Sequence, residues 1–466
     1  FTCARNRGLF MTSDRLPPSS AGVATHFPSL MEATWVWFAI GCLSFGGPAG
    51  QIALLHRAVV DERHWISEKR FLHALNFCSL LPGPEAQQLA TYLGWLLHGA
   101  KGGVIAGLLF ILPGALVMLC LSVLFVLAGD VAPVAAIFFG LKCSVLVIVV
   151  EALIRVARRA LQGQAAWAVA TAAFVALFFF SAPFPAVVLT AALVGAFLPL
   201  GLSSEKQISG QERAPALLDA VMAADPGHVK RLARSARRAG IVALILWALP
   251  VVALVPIGGF YSDVAWFFSK MAVVTFGGAY AVLTYVAQQA VETYAWLTAG
   301  EMLTGLGLAE TTPGPLILVL QFVGFVAGVG AESGLNGLLG GLLAMALTLW
   351  VTFTPCFAFV FLGAPAIEVL QERPQFARAR AAITAAVVGV IANLALWFGF
   401  RVLFSEVRPL SWGPLSPELP VIASVDPLAL AIAALAAVAL FGFKFGVIKT
   451  LGLSALAGLA LKMTLG

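Results

Sequence analysis

The chain has 466 residues, of which 61% are hydrophobic and 11% charged, and its formal net charge is +6. About a quarter of the residues in a soluble domain are charged, so this composition excludes a soluble domain. It predicts an all-α, polytopic helical membrane protein. The basic residues cluster in short loops between apolar runs, which is typical of a membrane protein and not of a nucleic-acid-binding one. The lipid bilayer is therefore an expected partner, and nucleic acid is not.

The N-terminal segment is the first element along the chain. Residues 1–28 are polar and contain proline and serine, and they predict a disordered cytoplasmic tail. Beyond this tail, several runs approach or exceed the ~20 apolar residues that span the hydrocarbon core. The clearest of these runs are 103–128, 131–150, 240–258 and 335–363.

An internal repeat divides the rest of the chain. "FGGPAGQ" (45–51) is followed by "LPGPE" (81–85), and "TFGGAYA" (275–281) by "TPGPL" (312–316), with the same spacing in each pair, since 82−45 = 313−276 = 37. Farther along, Pro113 pairs with Pro355 at an offset of 242. We interpret this as a tandem duplication. It has a first repeat at 29–200, a cytoplasmic basic linker at 201–239, and a connecting span with the second repeat at 240–466.

Loop charges predict how the two repeats are oriented. The loop "RAVVDERHWISEKR" (57–70) is basic, whereas its counterpart "QQAVETYAWLTAGE" (288–301) contains neither lysine nor arginine. By the positive-inside rule the first loop is cytoplasmic and the second is external, so we expect inverted-topology repeats. The Gly/Pro breaks then lie in broken helices, whose arms are either re-entrant hairpins or short, tilted full spans.

Each break has an apolar arm, a Gly/Pro breaker and then a new helix. We expect Pro48, Pro84 and Pro315 in the first turn of these helices, with Ala279 in the fourth. Helix N-termini expose unpaired N–H groups and bind anions, and four of them near the bilayer midplane would form an oxyanion site. The predicted substrate-binding residues are Ser44, Phe45, Gly46, Gly47, Pro48, Gln51, Pro82, Gly83, Pro84, Gln88, Lys142, Thr275, Phe276, Gly277, Gly278, Thr312, Pro313, Gly314 and Pro315.

Two of the charged residues within apolar segments suggest roles of their own. Lys142, in "FFGLKCSVL", costs roughly 2.5–3.5 kcal/mol at a helix centre, and we expect it to attract the anion. Glu85 directly follows Pro84, and it either caps its own helix or binds a proton during transport.

Motifs for metal, cofactor or catalytic chemistry are absent from the sequence. The six cysteines are scattered without a C-x-x-C pair, the six histidines form no ligand pattern, and no G-x-x-x-x-G-K-[ST] phosphate loop occurs. We therefore expect free thiols, no metal, no cofactor and no enzymatic activity.

The twin FGG and PGP motifs, followed by "LATYLGWLLHG" (89–99) and "LLFILPGAL" (108–116), resemble the chromate ion transporter family in its long, two-domain form. The likeness covers about residues 30–465, with Ala279 as a departure in the second repeat. It implies a bacterial inner-membrane protein that exports chromate and confers chromate resistance, with sulfate as a close mimic. The resemblance suggests proton-linked antiport, whereas a protonated Glu85 or Lys142 that favours the anion would give cotransport, and both couplings stay open here. Sulfate or molybdate uptake and a passive anion channel are the alternatives. The sequence does not predict the oligomeric state.

Overall fold

A computed structural model describes residues 27–45, 47–198, 216–225, 228–275, 279–331, 337–364, 374–410, 413 and 415–465. In these residues the chain is helical apart from one two-stranded hairpin, which confirms the predicted helical class. Six of the helices are long and apolar enough to cross a membrane. The protein is thus a polytopic helical membrane protein, as its composition predicts.

The first half contains α1 to α7. These are α1 (Leu30–Leu43), α2 (Gly47–His56) continued by a π-helical turn (Arg57–Asp61), α3 (Glu68–Cys78), α4 (Glu85–Ala128), α5 (Ala132–Ala160), α6 (Gln164–Phe180) and α7 (Phe184–Phe197). The long α4 is two helices joined by a kink, where His98 and Gly99 have non-helical backbone angles.

The second half follows a short α8 (Leu217–Ala224) and α9 (His228–Leu254). It comprises α10 (Phe260–Val274), α11 (Ala279–Gln288) with a π-helical turn (Gln289–Thr293), α12 (Ala299–Thr311), a 3-10 turn (Leu316–Leu318), α13 (Val319–Gly330), α14 (Gly337–Gly363), α15 (Pro374–Leu403), β1 (Val407–Pro409), β2 (Glu418–Pro420), a 3-10 turn (Ile422–Ser424), α16 (Pro427–Ala437) with a π-helical turn (Val438–Gly442), and α17 (Val447–Leu465).

Matching irregularities show that the two halves share a local fold. His64 and Ala295 are offset by 231 residues and both have left-handed backbone, with φ of 52° and 50°. The next residue in each half, Trp65 or Trp296, donates its amide to the carbonyl six residues earlier. Left-handed backbone costs free energy in residues other than glycine, so its recurrence at this offset supports the repeat found in the sequence.

The helix after each PGP motif folds back on the helix that follows it. In the first half, a Cβ added at Gly94 would lie 2.6 Å from the Cβ of Ala106, across the kink of α4. In the second half, a Cβ added at Gly328 would lie 2.6 Å from the Gly340 carbonyl oxygen, between α13 and α14. Small residues let the helix backbones approach closely, as is usual inside membranes.

The last two helices of each half pack on the long helix of the other half. A Cβ at Gly195 in α7 would lie 2.7 Å from the carbonyl of Arg378 in α15, and one at Gly458 in α17 would lie 2.5 Å from the carbonyl of Ala136 in α5. The two contacted residues, Arg378 and Ala136, hold equivalent positions in the repeat, since 378−136 = 242, the offset of the downstream repeat. The two halves therefore exchange elements reciprocally.

The last part of the segment between the two halves is helical. Of the predicted linker 201–239, residues 228–239 belong to α9, which continues through the predicted connecting span as one helix. Only 11% of the most apolar window of α9 is buried, so this helix lies at the periphery with an apolar surface suited to lipid. Residues 1–26 of the predicted tail lie outside the described residues.

Candidate functional site

The two PGP loops bind across the molecule to the residues that precede the FGG motifs. The Gly83 amide donates to the Thr275 carbonyl at 2.8 Å, and the Gly314 amide donates to the Ser44 carbonyl at 2.8 Å. Both glycines have positive φ, 122° and 91°, which other residues rarely adopt. The helix ends beside the FGG and PGP breaks are here called the tips. The structure thus brings the tips together in two equivalent clusters, each built from both halves.

The first cluster surrounds Ser44 and Gly314. The side-chain amide of buried Gln51 donates to the Gly314 carbonyl at 2.6 Å and to the Ser44 carbonyl at 3.4 Å. Behind it, a Cβ added at Gly114 in α4 would lie only 2.0 Å from the Pro313 carbonyl oxygen. Gln51 therefore fastens the second PGP loop, and the absence of a side chain at Gly114 lets that loop approach.

The second cluster surrounds Thr275 and Gly83. The side-chain amide of Gln88 donates to the Pro82 carbonyl at 2.6 Å. A Cβ added at Gly83 would lie 2.8 Å from both the Cys356 sulfur and the Gln88 amide nitrogen. Cys356 is the counterpart of Gly114, since 356−114 = 242. The two clusters match in backbone contacts and differ in side chains.

Several groups expected to donate hydrogen bonds to an anion are already engaged. The amides of Gly83 and Gly314 bond to the opposite half, and the hydroxyls of Ser44 and Thr275 donate to the carbonyls of Ile40 and Met271 within their own helices. Backbone amides in the first turn of the α-helices that begin at the tips have no partner within their helix. Pro84, before α4, supplies no side-chain cap.

The proline positions differ slightly from expectation. Pro48 is the second residue of α2, within the first turn as predicted. Pro84 and Pro315 instead precede their helices as the N-cap residues, with extended backbone. Gly47 has positive φ and an open surrounding, and Phe45 and Thr312 also lie in the breaks between helices. Gly46, Phe276, Gly277 and Gly278 lie outside the described residues.

Lys142 is not brought to the tips. Its side-chain nitrogen would lie 4.0 Å from a Cβ at Gly300, near the start of α12, and it faces the ring of Phe139. Asp426 and Lys462 are within electrostatic range. Gly300 precedes Thr312 by 12 residues and a helix rises about 1.5 Å per residue, so about 18 Å of helix separates the side-chain nitrogen of Lys142 from the PGP loop after α12. Glu85 begins α4 next to the second cluster.

A buried acid that the sequence reading did not select lies beside the second PGP loop. Glu310 is the penultimate residue of α12 and is 8% exposed. It accepts a hydrogen bond of 2.6 Å from the Tyr280 hydroxyl in α11. The sequence feature that could have indicated this buried acid is a single glutamate in an apolar segment, four residues before Gly314.

A basic cavity lies between α5 and the turn that joins α16 to α17. Its volume is about 530 Å³. Arg155 in its wall bonds to Glu151 one turn earlier, leaving the cavity with a net positive lining. The lining residues are Glu151, Ile154, Arg155, Arg158, Arg159, Leu440, Phe441, Lys444 and Phe445.

Comparisons with known proteins identify the family. The model of the chromate transporter family matches residues 31–196 and 262–459, one segment in each half. A chromate transport protein of Pseudomonas aeruginosa is 33% identical over 82% of this chain and 82% of its own length. A probable chromate transport protein of Synechococcus elongatus is 26% identical, over 88% and 95%, and a chromate transport protein of Cupriavidus metallidurans is 24% identical, over 83% and 87%.

No solved structure matches this chain. The two matched segments coincide with the two halves that exchange their PGP loops and their last helices. Together with the apolar helices, the match describes a multi-pass bacterial membrane protein. The chain belongs to the chromate transporter family.

Proposed function

We propose that this protein is a secondary transporter of the bacterial inner membrane that exports chromate and thereby confers chromate resistance. The observation that carries the proposal is the reciprocal pair of bonds from Gly83 to Thr275 and from Gly314 to Ser44. It holds interrupted helices of both halves against each other, as in transporters whose substrate sites lie at the repeat interface. The names of the relatives support chromate as the substrate.

The substrate-binding role stays with the tips. First-turn amides of α4 and of α2 would face the oxyanion, with Gln51 and Gln88 holding the PGP loops in place. Neutral donors suit a dianion that must also leave, because they impose no fixed countercharge. Lys142 stands apart from this site, and Glu85 stays a candidate for proton binding beside it.

The inverted relation of the repeats is part of the proposal. Contacts of Gly140 with Ser454 and of Ala136 with Gly458 mean that α17 runs antiparallel to α5. Helices joined by short loops alternate in direction, so α7 runs parallel to α5. Like α7, α17 is the second helix after the long helix of its half, and it has the opposite direction, so these contacts support inverted repeats. In this scheme the re-entrant arm of the first half turns back at His98 and Gly99 and packs through Gly94 on Ala106, and the arm of the second half packs through Gly328 on Gly340.

The membrane potential supplies the driving force in this scheme. A dianion leaving a negative-inside cell gains about 2 × 2.3, or ~4.6 kcal/mol, per 100 mV. That is more than three decades of concentration at ~1.4 kcal/mol per decade. Export therefore requires no ATP. We further propose the basic cavity as the cytoplasmic entrance, where four cationic side chains concentrate the dianion.

The test is chromate accumulation in cells with and without the protein. We expect lower intracellular chromate and better growth on chromate when the protein is present. Excess sulfate in the cytoplasm should compete with export. Higher accumulation of chromate or sulfate would instead favour uptake, and conductance that does not saturate would favour a channel; either result would overturn the proposal.

A further inference from the structure

We propose that Glu310 is a proton-binding site of the transporter, and that it must carry a proton before a dianion occupies the adjoining tips. This inference rests on the proposed function and adds to it a coupled ligand and the residue that binds it. The protein therefore binds one proton, on Glu310, for each dianion that binds at the tips.

The position of Glu310 links both breaks of the second half. Its carboxylate oxygen accepts the hydrogen bond from Tyr280, the second residue of α11, whereas its own helix ends one residue later at Thr311. Four residues beyond Glu310, Gly314 forms the bond to Ser44 that closes the first cluster. A charge at Glu310 therefore lies where the two breaks of the second half meet.

The surroundings of Glu310 are unfavourable to its ionised form. The residue is buried, and burial of a carboxylate without a direct cationic partner costs free energy. It lies in the last turn of α12, where the unpaired carbonyls present negative partial charge. Its hydrogen-bond partner is a neutral phenol.

Two charged residues on α5 also influence this site. Arg155 and Glu151 are both within electrostatic range of Glu310. Arg155 forms its own ion pair with Glu151, however, so the pair presents little net charge to the buried acid. The titratable groups that act on Glu310 in the described residues are therefore Tyr280, Arg155 and Glu151.

The first half has no matching acid. The counterpart of Glu310 is Ser79, since 310−231 = 79. The Ser79 hydroxyl donates to the Asn76 carbonyl and accepts a hydrogen bond of 3.2 Å from Arg380. One cluster thus has a buried acid where the other has a hydroxyl facing a cation, so this acid is particular to the second half.

The coupling follows from charge repulsion. An ionised Glu310 repels a dianion at the tips in a low-dielectric setting, whereas the neutral acid does not. Proton binding and anion binding therefore favour each other, with the same coupling in both directions. Transport therefore occurs when Glu310 is protonated and is lost as rising pH removes its proton.

The experiment is chromate flux into vesicles containing the full-length protein, driven by an imposed potential and measured at several pH values above neutrality. Chromate itself takes up a proton in mildly acidic solution, so this range keeps it a dianion. We expect wild-type flux to fall as pH rises. Glu310→Gln, a permanently neutral isostere, should give a nearly flat profile and about tenfold more flux than wild type at the most alkaline point. Glu406→Gln, at an exposed carboxylate just before β1, is the matched control and should keep the wild-type profile.

A second variant keeps the test decisive if Glu310→Gln does not fold. Tyr280→Phe removes the donated hydrogen bond and leaves the carboxyl group, so an ionised Glu310 loses a stabilising contact. The steep part of the pH profile should then move to higher pH. An unshifted profile in Tyr280→Phe, or a wild-type slope in Glu310→Gln, would overturn the assignment while leaving chromate transport intact. Absence of wild-type chromate flux at every pH would overturn the proposed function itself.

Discussion

Gly114 is the residue on which the approach of the second PGP loop most directly depends. An alanine there would place its Cβ 2.0 Å from the Pro313 carbonyl oxygen, so the backbone of the loop must move. Overpacking of this kind costs about 1–3 kcal/mol. We expect Gly114→Ala to insert normally and to lose most chromate export, measured by chromate accumulation and by the amount of protein in the membrane fraction.

Gly452→Ala provides the comparison for Gly114→Ala. Gly452 lies in α17, and beyond its chain neighbours and its own helix backbone no atom of the described residues lies within 4 Å of an added Cβ, so this substitution should leave export unchanged. If both variants exported as well as wild type, close approach at Gly114 would not matter for transport.

Gln51 fastens the same loop through its side-chain amide. Replacing it with leucine removes the bond of 2.6 Å to the Gly314 carbonyl and leaves a buried acceptor without that partner, which costs about 1–3 kcal/mol. We expect a lower melting temperature of the purified protein and reduced chromate flux. Equal melting temperatures would show that the amide does not hold the loop.

At this scale the sequence predicted where the helices break but not how the breaks are bonded to each other. Glycine and proline in repeated register indicated the tips, because their backbone preferences are local. The engagement of the Gly83 and Gly314 amides by the opposite half was not foreseeable, since each bond joins residues that are 192 or 270 positions apart in the chain. The pairing of Glu310 with Tyr280 was missed for the same reason.

At the level of elements, the end of α5 and the turn before α17 form the basic cavity. Arg158 and Arg159 in its wall have no role in the tip clusters. Replacing both with glutamine should raise the chromate concentration for half-maximal export several-fold, mainly at low salt, because charge steering is screened by ions. The maximal rate should change little. A lower maximal rate at unchanged half-saturation would contradict the entrance assignment.

The broken helices were foreseeable as elements, whereas the kink within α4 was not. Pro82 to Pro84 interrupt any helix by sterics alone. At His98 and Gly99 a single glycine gives a much weaker signal, and the fold-back of α4 becomes visible only from the contact of Gly94 with Ala106.

For the whole molecule, the proposed inversion of the two halves predicts opposite accessibility of equivalent loops. Glu62 and Thr293 are both exposed and are offset by 231 residues. On a background without native cysteines, Glu62→Cys should react with an impermeant maleimide only from the cytoplasmic side, and Thr293→Cys only from outside. Labelling of both from one side would show that the repeats are parallel.

The packing of the last two helices of each half on the long helix of the other half could not be predicted from the sequence. In a membrane protein, helices are apolar on the lipid side as well as on the packed side, so periodicity does not tell which face meets a partner. The duplication was readable because it depends only on spacing. The packing of α7 on α15 and of α17 on α5 required the contacts of Gly195 and Gly458.

That exchange has a consequence for synthesis at the ribosome. The surface of α5 at Gly140 is covered by Ser454, which is translated 314 residues later. At about 5–20 residues per second the nascent first half waits roughly 15–60 s with this surface facing lipid or an insertion factor. Truncated or stalled chains should therefore be degraded quickly, and quality-control proteases should recognise the uncovered small-residue stripe of α5.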